Sequence, residues 1–458
     1  MPKVLLLHHF YAPDDVAGAM QFSGLGEGLV ARGFEVEVWP ANRRCHPTSP
    51  VGLRRTGPPL SGGPRQTGTA SVIGLGRTGS ASSAGSSRVE VSDGFGTKVE
   101  ILGGVMVRRV WRPGFPQHRF FGRIINAIWM MKFWGWRALF AQAPDVVILG
   151  TDPIFGLLLA PFLKWRWPSA RIIHWVFDLY PEYPIAEGII SEKGIVARSL
   201  RWLMKWGYGK CDLVADLGAC MRERLAAYSI RRFATLTPWS LEEPEKPLDF
   251  DPEEREALFG ANSQVEGRVL SEAEQKGFAK LALLYSGNLS HPHEFTLTLK
   301  LARRMRTKAV FVYSARGSRM DDLNKALNPE DLNVRFASFA PLDKLKARLS
   351  VPDIHLVSLK RAYTGVAVPS KFFGALAVGR PVLFEGDPRS AIARWIEEYE
   401  VGWVLKRDNM EQVLEALEAL AGDERKKKAF FKRCHQVYQK HFSRQAVVDR
   451  WAGELRSL

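Results

Sequence analysis

A chain of 458 residues with 46% hydrophobic content is longer than one ordinary domain and rich enough in apolar groups for packed cores, which excludes general disorder. Its formal charge of +16, with a pI near 9.7, favours polyanionic partners: nucleic acid, anionic membrane surfaces or phosphorylated substrates. Cys45, Cys211, Cys220 and Cys434 lack CxxC or metal-type spacing and, with no secretion signal, read as reduced structural thiols.

In chain order, "KVLLLHHF" is a continuous apolar run, the pattern of a parallel strand buried on both faces. The turn "YAPDDVAGA" leads into a helix that Gly33 can stop before "FEVEVWP", giving a β-loop-α-β unit. Residues 46–96, rich in Gly, Ser, Thr and Pro, bury too little to offset ordering and read as a flexible insertion. The alternation resumes with "GVMVRRVWRP", "DVVILG", "ARIIHWVFDLYPE" and "DLVADLG", which complete a first α/β domain over 1–240. A Pro- and acid-rich stretch opens a linker and variable segment at 241–278. A second series over 279–435 runs "KLALLYSGN", "KAVFVYSARG", "NVRFASF", "DIHLVSL", "RPVLFEG" and "GWVLKRD". The last segment, 436–458, is a helix offered as a crossing back to the first domain. The expected fold is therefore α/β, with two Rossmann-like doubly wound sheets facing a central cleft that takes ligand at strand C-terminal ends.

The stretch "TGVAVPSKFFGALAVGRPVLFEG" (364–386) places a lysine at a helix start within an apolar segment. Pro369 ends the preceding geometry, Ser370 is an N-cap candidate and Lys371 opens the helix; the pattern suits a diphosphate. A solvated lysine beside an ordinary cap has the same sequence. Three stretches mix aromatic and basic groups: "HRFFGRIINAIWMMKFWGWRALF" with Arg123, Lys132, Trp134 and Arg137; "FLKWRWP" with Trp165; "VARSLRWLMKWGYGK" with Arg201, Trp202 and Lys205. They suit the headgroup layer of an anionic bilayer, and also plain core helices with snorkelling basic ends. No run of about 20 apolar residues is uninterrupted, so no spanning helix is expected. Neither zinc spacing, an RNA-reading strand motif nor a recognition helix supports nucleic-acid binding.

The ordered motifs "FYAPDDVAG", "TDPIFGLLLAPFLK", "FDLYPEYPIAEGI", "CDLVADLGACMRERL", "YSGNLSHPHEF" and "VPSKFFGALAVGRPVL" resemble the GT-B glycosyltransferases of family 4, especially bacterial exopolysaccharide and O-antigen sugar transferases. The resemblance covers nearly the whole chain apart from the insertion. It implies metal- and cofactor-independent, retaining transfer from a nucleotide-sugar, here expected to be a UDP-sugar. A polyprenyl-diphosphate-linked saccharide is the expected acceptor because it sits at a membrane and is anionic, with a lipopolysaccharide core or a soluble acceptor as alternatives. The reduced thiols and the basic-aromatic stretches of the first domain lead to the expectation of a cytoplasmic protein held peripherally at the inner face of the cell membrane.

The resemblance also assigns residues. Lys371 would pair with a phosphate oxygen beside Ser370, Gly287 would let the backbone approach the diphosphate, and Asn288 would hydrogen-bond to it. Such enzymes often carry arginine where Asn288 stands, so charge compensation falls on Lys371, with His291 and His293 as helpers or as loop structure. The glutamate that grips the ribose in many of them is replaced by Gly374; Glu385 is a substitute or a charged turn residue. The backbones of Phe339 and Ala340 would meet the nucleobase. In "FDLYPE", Phe177 replaces a frequent histidine while Asp178 remains, to orient or deprotonate the acceptor hydroxyl or to cap the next turn. Glu182 is a second candidate for that work, and Gly18 would let the first domain approach a phosphate. The missing histidine and glutamate leave open a non-catalytic membrane-associated partner protein; a GT-B sugar-nucleotide epimerase, which would keep the nucleotide site without needing a membrane face, is a second alternative.

Overall fold

The computed structural model describes residues 1–14, 16–42, 91–92, 98–115, 120–260 and 281–458. Cys45 and the expected insertion lie outside them, except that Val91 and Ser92 form a short strand at the edge of the first sheet.

That sheet contains β1 (Lys3–Leu7), β2 (Glu35–Val38), β3 (Val91–Ser92), β4 (Lys98–Leu102), β5 (Val105–Arg108), β6 (Val146–Gly150), β7 (Arg171–Trp175), β8 (Leu213–Asp216) and β9 (Phe233–Thr235). Its spatial order is β3-β4-β5-β2-β1-β6-β7-β8-β9, parallel from β5 to β9 and antiparallel at the β3-β4-β5 edge. The central strands are apolar throughout because helices cover both faces; Val4–Leu7 and Val146–Leu149 are all buried. Sequence patterning missed β4, which pairs antiparallel next to one edge of the sheet, and the three-residue β9 at the other edge.

The second sheet holds β10 (Leu281–Asn288), β11 (Ala309–Arg316), β12 (Val334–Ala337), β13 (Ile354–Ser358), β14 (Val382–Glu385) and β15 (Gly402–Leu405), in the order β12-β11-β10-β13-β14-β15 and parallel throughout. All six of its strands fall in the apolar runs read from the sequence. Between the sheets, the Pro-rich stretch is not loop to its end: Asp251 accepts a hydrogen bond from the Glu254 N–H at 2.9 Å, capping a helix over Pro252–Phe259.

Seven helices position the rest: α1 (Ala17–Val30), α2 (Phe120–Phe140), α3 (Ala160–Arg166), α4 (Ile195–Tyr208), α5 (Thr296–Arg304), α6 (Lys371–Ala377) and α7 (Arg444–Arg456). The turn after α1 needs Gly33, whose φ of +86° closes it before β2. The chain's end packs on its beginning. Gly28 of α1 lets Val448 of α7 approach until an added Cβ would lie 2.8 Å away, and Arg444 pairs with Glu27 at 2.8 Å and Arg32 with Asp449 at 2.7 Å. Trp451 meets Trp175 of β7 at 5.2 Å between centroids.

The lobes also touch at the strand C-terminal ends. The Leu179 N–H donates to the Val366 carbonyl at 2.9 Å, Arg224 donates to the Thr364 carbonyl at 2.6 Å, and the rings of Tyr183 and Tyr363 lie 5.5 Å apart. One hydrophobic cluster therefore runs from the first sheet through Phe372, Phe442 and Trp451 into the second lobe.

Candidate functional site at the interlobe cleft

A cavity of about 420 Å³ opens where these strand ends meet. The loop after β1 brings His8 and Phe10, the loop after β6 brings Thr151 and Asp152, and the end of β7 brings Phe177, Asp178 and Tyr180. Gly18 and Gln21 of α1 and Arg123 of α2 complete the first lobe's wall, while Val368 and Ser370 come from the second. Parallel strands end on the same side, which explains why residues from three separate loops converge.

Charge is concentrated on the first-lobe wall. Burial, reinforced by the neighbouring Asp152 charge and opposed by Arg123, pushes the Asp178 carboxyl up to about 6. Asp152 goes the other way: burial disfavours its charge, but His9, with Nδ1 at 3.6 Å, holds it below the usual carboxylate range. Two carboxylates in one cavity thus differ in proton affinity. His8, stacked on Phe22 at 4.1 Å, is lowered to about 4 by burial. Gly18 packs against it; an added Cβ would lie 2.9 Å from His8 Cε1.

On the second lobe, the Lys371 amine donates to the Asn288 carbonyl at 3.1 Å and sits 5.0 Å from the Tyr285 ring centre. Desolvation brings it down to about 8. Gly287 runs with φ +124° directly beneath the lysine stem, where a Cβ would be 2.8 Å from Cε. Lys371, Gly287 and Asn288 are thus brought together at the β10 end, and Ser370 adjoins both this group and the cavity. Ser370 itself departs from the sequence reading. Its backbone is already helical and its side chain makes no capping bond, so it does not act as an N-cap.

Phe339 is exposed and stacks under Arg316, 4.2 Å from guanidinium carbon to ring centre, with Ala340 buried beside it. Arg316 lies opposite Asn288 in the β10–β11 register. Sequence reasoning looked for a cation next to Gly287 along the chain and missed the one on the adjacent strand. His293 binds the Ser358 carbonyl at 2.9 Å, and burial followed by the Lys371 charge lowers it to about 3, which makes it loop structure. His291 contacts the Tyr363 hydroxyl at 3.1 Å.

Several expected site residues have other work. Glu385 is buried and accepts from the Leu297 and Thr298 N–H groups at 2.7 and 2.9 Å and from the Thr298 hydroxyl at 2.7 Å. It caps α5, so its oxygens are engaged away from any ribose. Glu182 is buried against the Tyr228 hydroxyl at 2.8 Å and Arg201 at 3.3 Å, a structural pair that also removes Arg201 from a free basic surface. Trp134 is 1% exposed and donates to the Trp39 carbonyl, and Arg137, 7% exposed, covers the Trp39 ring. Neither can face a bilayer. Arg123 faces the cavity's carboxylates.

The outer face that does remain open is formed by α2, α3 and α4. It presents Ile128, Trp129, Lys132, Trp136 and Phe140, then Trp165 at 70% and Trp202 at 68% exposure, with Lys205 and Trp206. Among the described residues no helix is long and apolar enough to cross a membrane, and no cluster of three His, Cys, Asp or Glu side chains is placed to hold a metal ion.

No protein-family model matches the chain. Two curated proteins are similar to it. A probable glycosyltransferase, WbjE of Pseudomonas aeruginosa, is 26% identical over 269 residues, covering 57% of this chain and 62% of that protein. A putative colanic acid biosynthesis glycosyl transferase, WcaI of Escherichia coli strain K12, is 28% identical over 122 residues, or 26% and 30% of the two. The chain thus spans less than two thirds of the length of these relatives. Sucrose-phosphate synthase from Thermosynechococcus elongatus superposes with a TM-score of 0.62 at 12% identity, covering 100% and 99% of the two chains. Anabaena Alr3699/HepE, solved with UDP-glucose, gives 0.55 at 10% identity over 100% of both, a likeness of fold. The chain thus has the GT-B fold of these solved structures and is similar in sequence to two curated proteins named as glycosyltransferases.

Proposed function

We propose that the protein is a retaining glycosyltransferase that moves a sugar from a nucleoside diphosphate, in the first instance a UDP-sugar, to a hydroxyl of a lipid-linked saccharide in surface polysaccharide synthesis. One observation carries the reading: a single interlobe cavity has the Asp152–Asp178 pair with Arg123 on one wall and Ser370, next to Lys371, on the other. This arrangement supports an acceptor side at the Asp152–Asp178 wall and a donor side beyond Ser370, at the Lys371 group. In the proposed step the acceptor oxygen bonds to the anomeric carbon on the face from which the diphosphate leaves. The bond to the phosphate oxygen breaks, and the acceptor's proton passes to that oxygen. The charge appearing on the leaving diphosphate is met by Lys371, aided by Arg316 near the base-binding edge. Asp178 orients the acceptor hydroxyl.

The names of the relatives support the reaction class, and the UDP-glucose complex of Alr3699/HepE supports a UDP-sugar. The aromatic and lysine-bearing face of α2, α3 and α4 supports a peripheral seat on an anionic membrane, on the same lobe as the proposed acceptor wall. Calorimetry with UDP-glucose and GDP-mannose, coupled to nucleotide release with and without a polyprenyl-diphosphate-linked saccharide, tests the proposal. Acceptor-dependent release is expected. Conversion of the sugar nucleotide without acceptor would establish an epimerase instead, and an untouched donor a non-catalytic protein.

A further inference from the structure

His8 has no role in the sequence reading or in the transfer just described, yet it is buried and still lines the cavity. We propose that its unprotonated Nε2 accepts a hydrogen bond from the acceptor hydroxyl that Asp178 faces, making His8 an acceptor-binding residue. The inference rests on the transferase reading and assigns to that reading a residue on β1's exit loop.

The tautomer follows from the contacts. Nδ1 lies 2.8 Å from the Phe10 carbonyl oxygen, and the Phe10 N–H also points at it from 3.3 Å, so the two contacts ask for opposite tautomers and the shorter one decides. An oxygen at the shorter distance can only accept, so Nδ1 carries the proton and Nε2 keeps its lone pair. The opposite tautomer would press two acceptors together at 2.8 Å in exchange for the longer contact.

The ring is packed closely between two glycines, neither of which could carry a side chain beside it. A Cβ at Gly18 would lie 3.2 Å from Nε2, and one at Gly150 would lie 2.4 Å from Cδ2. Phe22 stacks on the ring face at 4.1 Å and also approaches Phe177 at 6.4 Å. His8 and Phe177, which occupies the position where the resembled enzymes often have histidine, thus share Phe22 as a neighbour and line the same cavity. Burial keeps the ring neutral, with its proton affinity lowered to about 4. It holds a hydroxyl without carrying the proton away. With the carboxylates of Asp152 and Asp178 alongside, the wall offers acceptors to a polyol, the chemistry of a saccharide.

The test uses 15N-histidine-labelled protein at neutral pH, with His8→Asn identifying the resonance. The expected spectrum shows Nδ1 protonated and Nε2 bare, and adding UDP with a farnesyl-diphosphate-linked glucose should shift Nε2 toward a hydrogen-bonded value. A ring protonated on Nε2, or no movement with this probe, overturns the proposal. In transfer assays, His8→Asn keeps a donor for the Phe10 carbonyl but loses the proposed Nε2 acceptor. It should raise the KM for the probe about tenfold with UDP affinity unchanged, and His8→Gln should recover most of the loss. Equal damage in both variants, or a loss of UDP affinity, marks a structural role and also overturns it. Wild-type protein that binds neither UDP-glucose nor GDP-mannose would instead sink the transferase reading, whatever the tautomer of His8.

Discussion

At the scale of single residues, two groups set the expected pH behaviour. Lys371 is charged below about 8 and loses its proton as pH rises through that value. UDP affinity should therefore weaken above pH 8. Asp178 takes up a proton as pH falls through about 6, so kcat/KM should decline on the acid side. A bell-shaped profile that loses its acid limb in Asp178→Asn is the expected result. Lys371→Ala removes the cation proposed for the diphosphate and should cost about 1.5–3 kcal/mol of UDP binding, roughly ten- to a hundredfold by calorimetry. Undiminished binding in that variant would defeat the assignment of the lysine.

The elements explain which sequence candidates failed. Glu385 and Glu182 both occupy strand-end or loop positions that in sequence look like cleft carboxylates. Each is claimed by a neighbouring element, α5's orphan N–H groups in one case and the Tyr228–Arg201 pair in the other. Glu385→Ala should lower stability by about 1–3 kcal/mol in urea unfolding, because it leaves buried donors unmet, while UDP affinity stays unchanged. A selective loss of UDP binding with stability intact would reinstate the ribose role. Gly287 marks the converse case, a residue that the β10 end cannot replace. Gly287→Ala forces a positive φ on alanine and pushes Cβ into the lysine stem. About 1–3 kcal/mol of strain is expected, read as a lower unfolding midpoint together with weaker UDP binding.

For the whole molecule, the proposed membrane seat rests on the outer face of the first lobe. The basic and aromatic stretches split in two when folded: Trp134 and Arg137 turn inward onto Trp39, while Trp136, Trp165 and Trp202 remain outside. Replacing those three exposed tryptophans with serine should abolish co-sedimentation with phosphatidylglycerol vesicles and leave UDP affinity unchanged. The wild-type protein should bind these vesicles less at high salt, because each lysine near the surface contributes about 1 kcal/mol that salt screens. Equal sedimentation of wild type and variant would count against the membrane seat.

The alternation of apolar runs and helical stretches determined the second sheet and the central strands of the first, since a strand buried on two faces must be apolar along its length and that signature is local. "VPSKFF" and "YSGN" were legible for the same reason: a glycine at a strand end and a lysine at a helix start announce themselves within a few residues. What the sequence left open was every property that depends on partners distant along the chain. Arg316 stands beside Asn288 only through the β10–β11 register, and His8 meets Gly18, Gly150 and Phe22 only because three elements converge. Whether a glutamate or tryptophan faces a cavity, a helix end or solvent is set by which neighbour reaches it first. That is a matter of packing, and packing is decided in three dimensions.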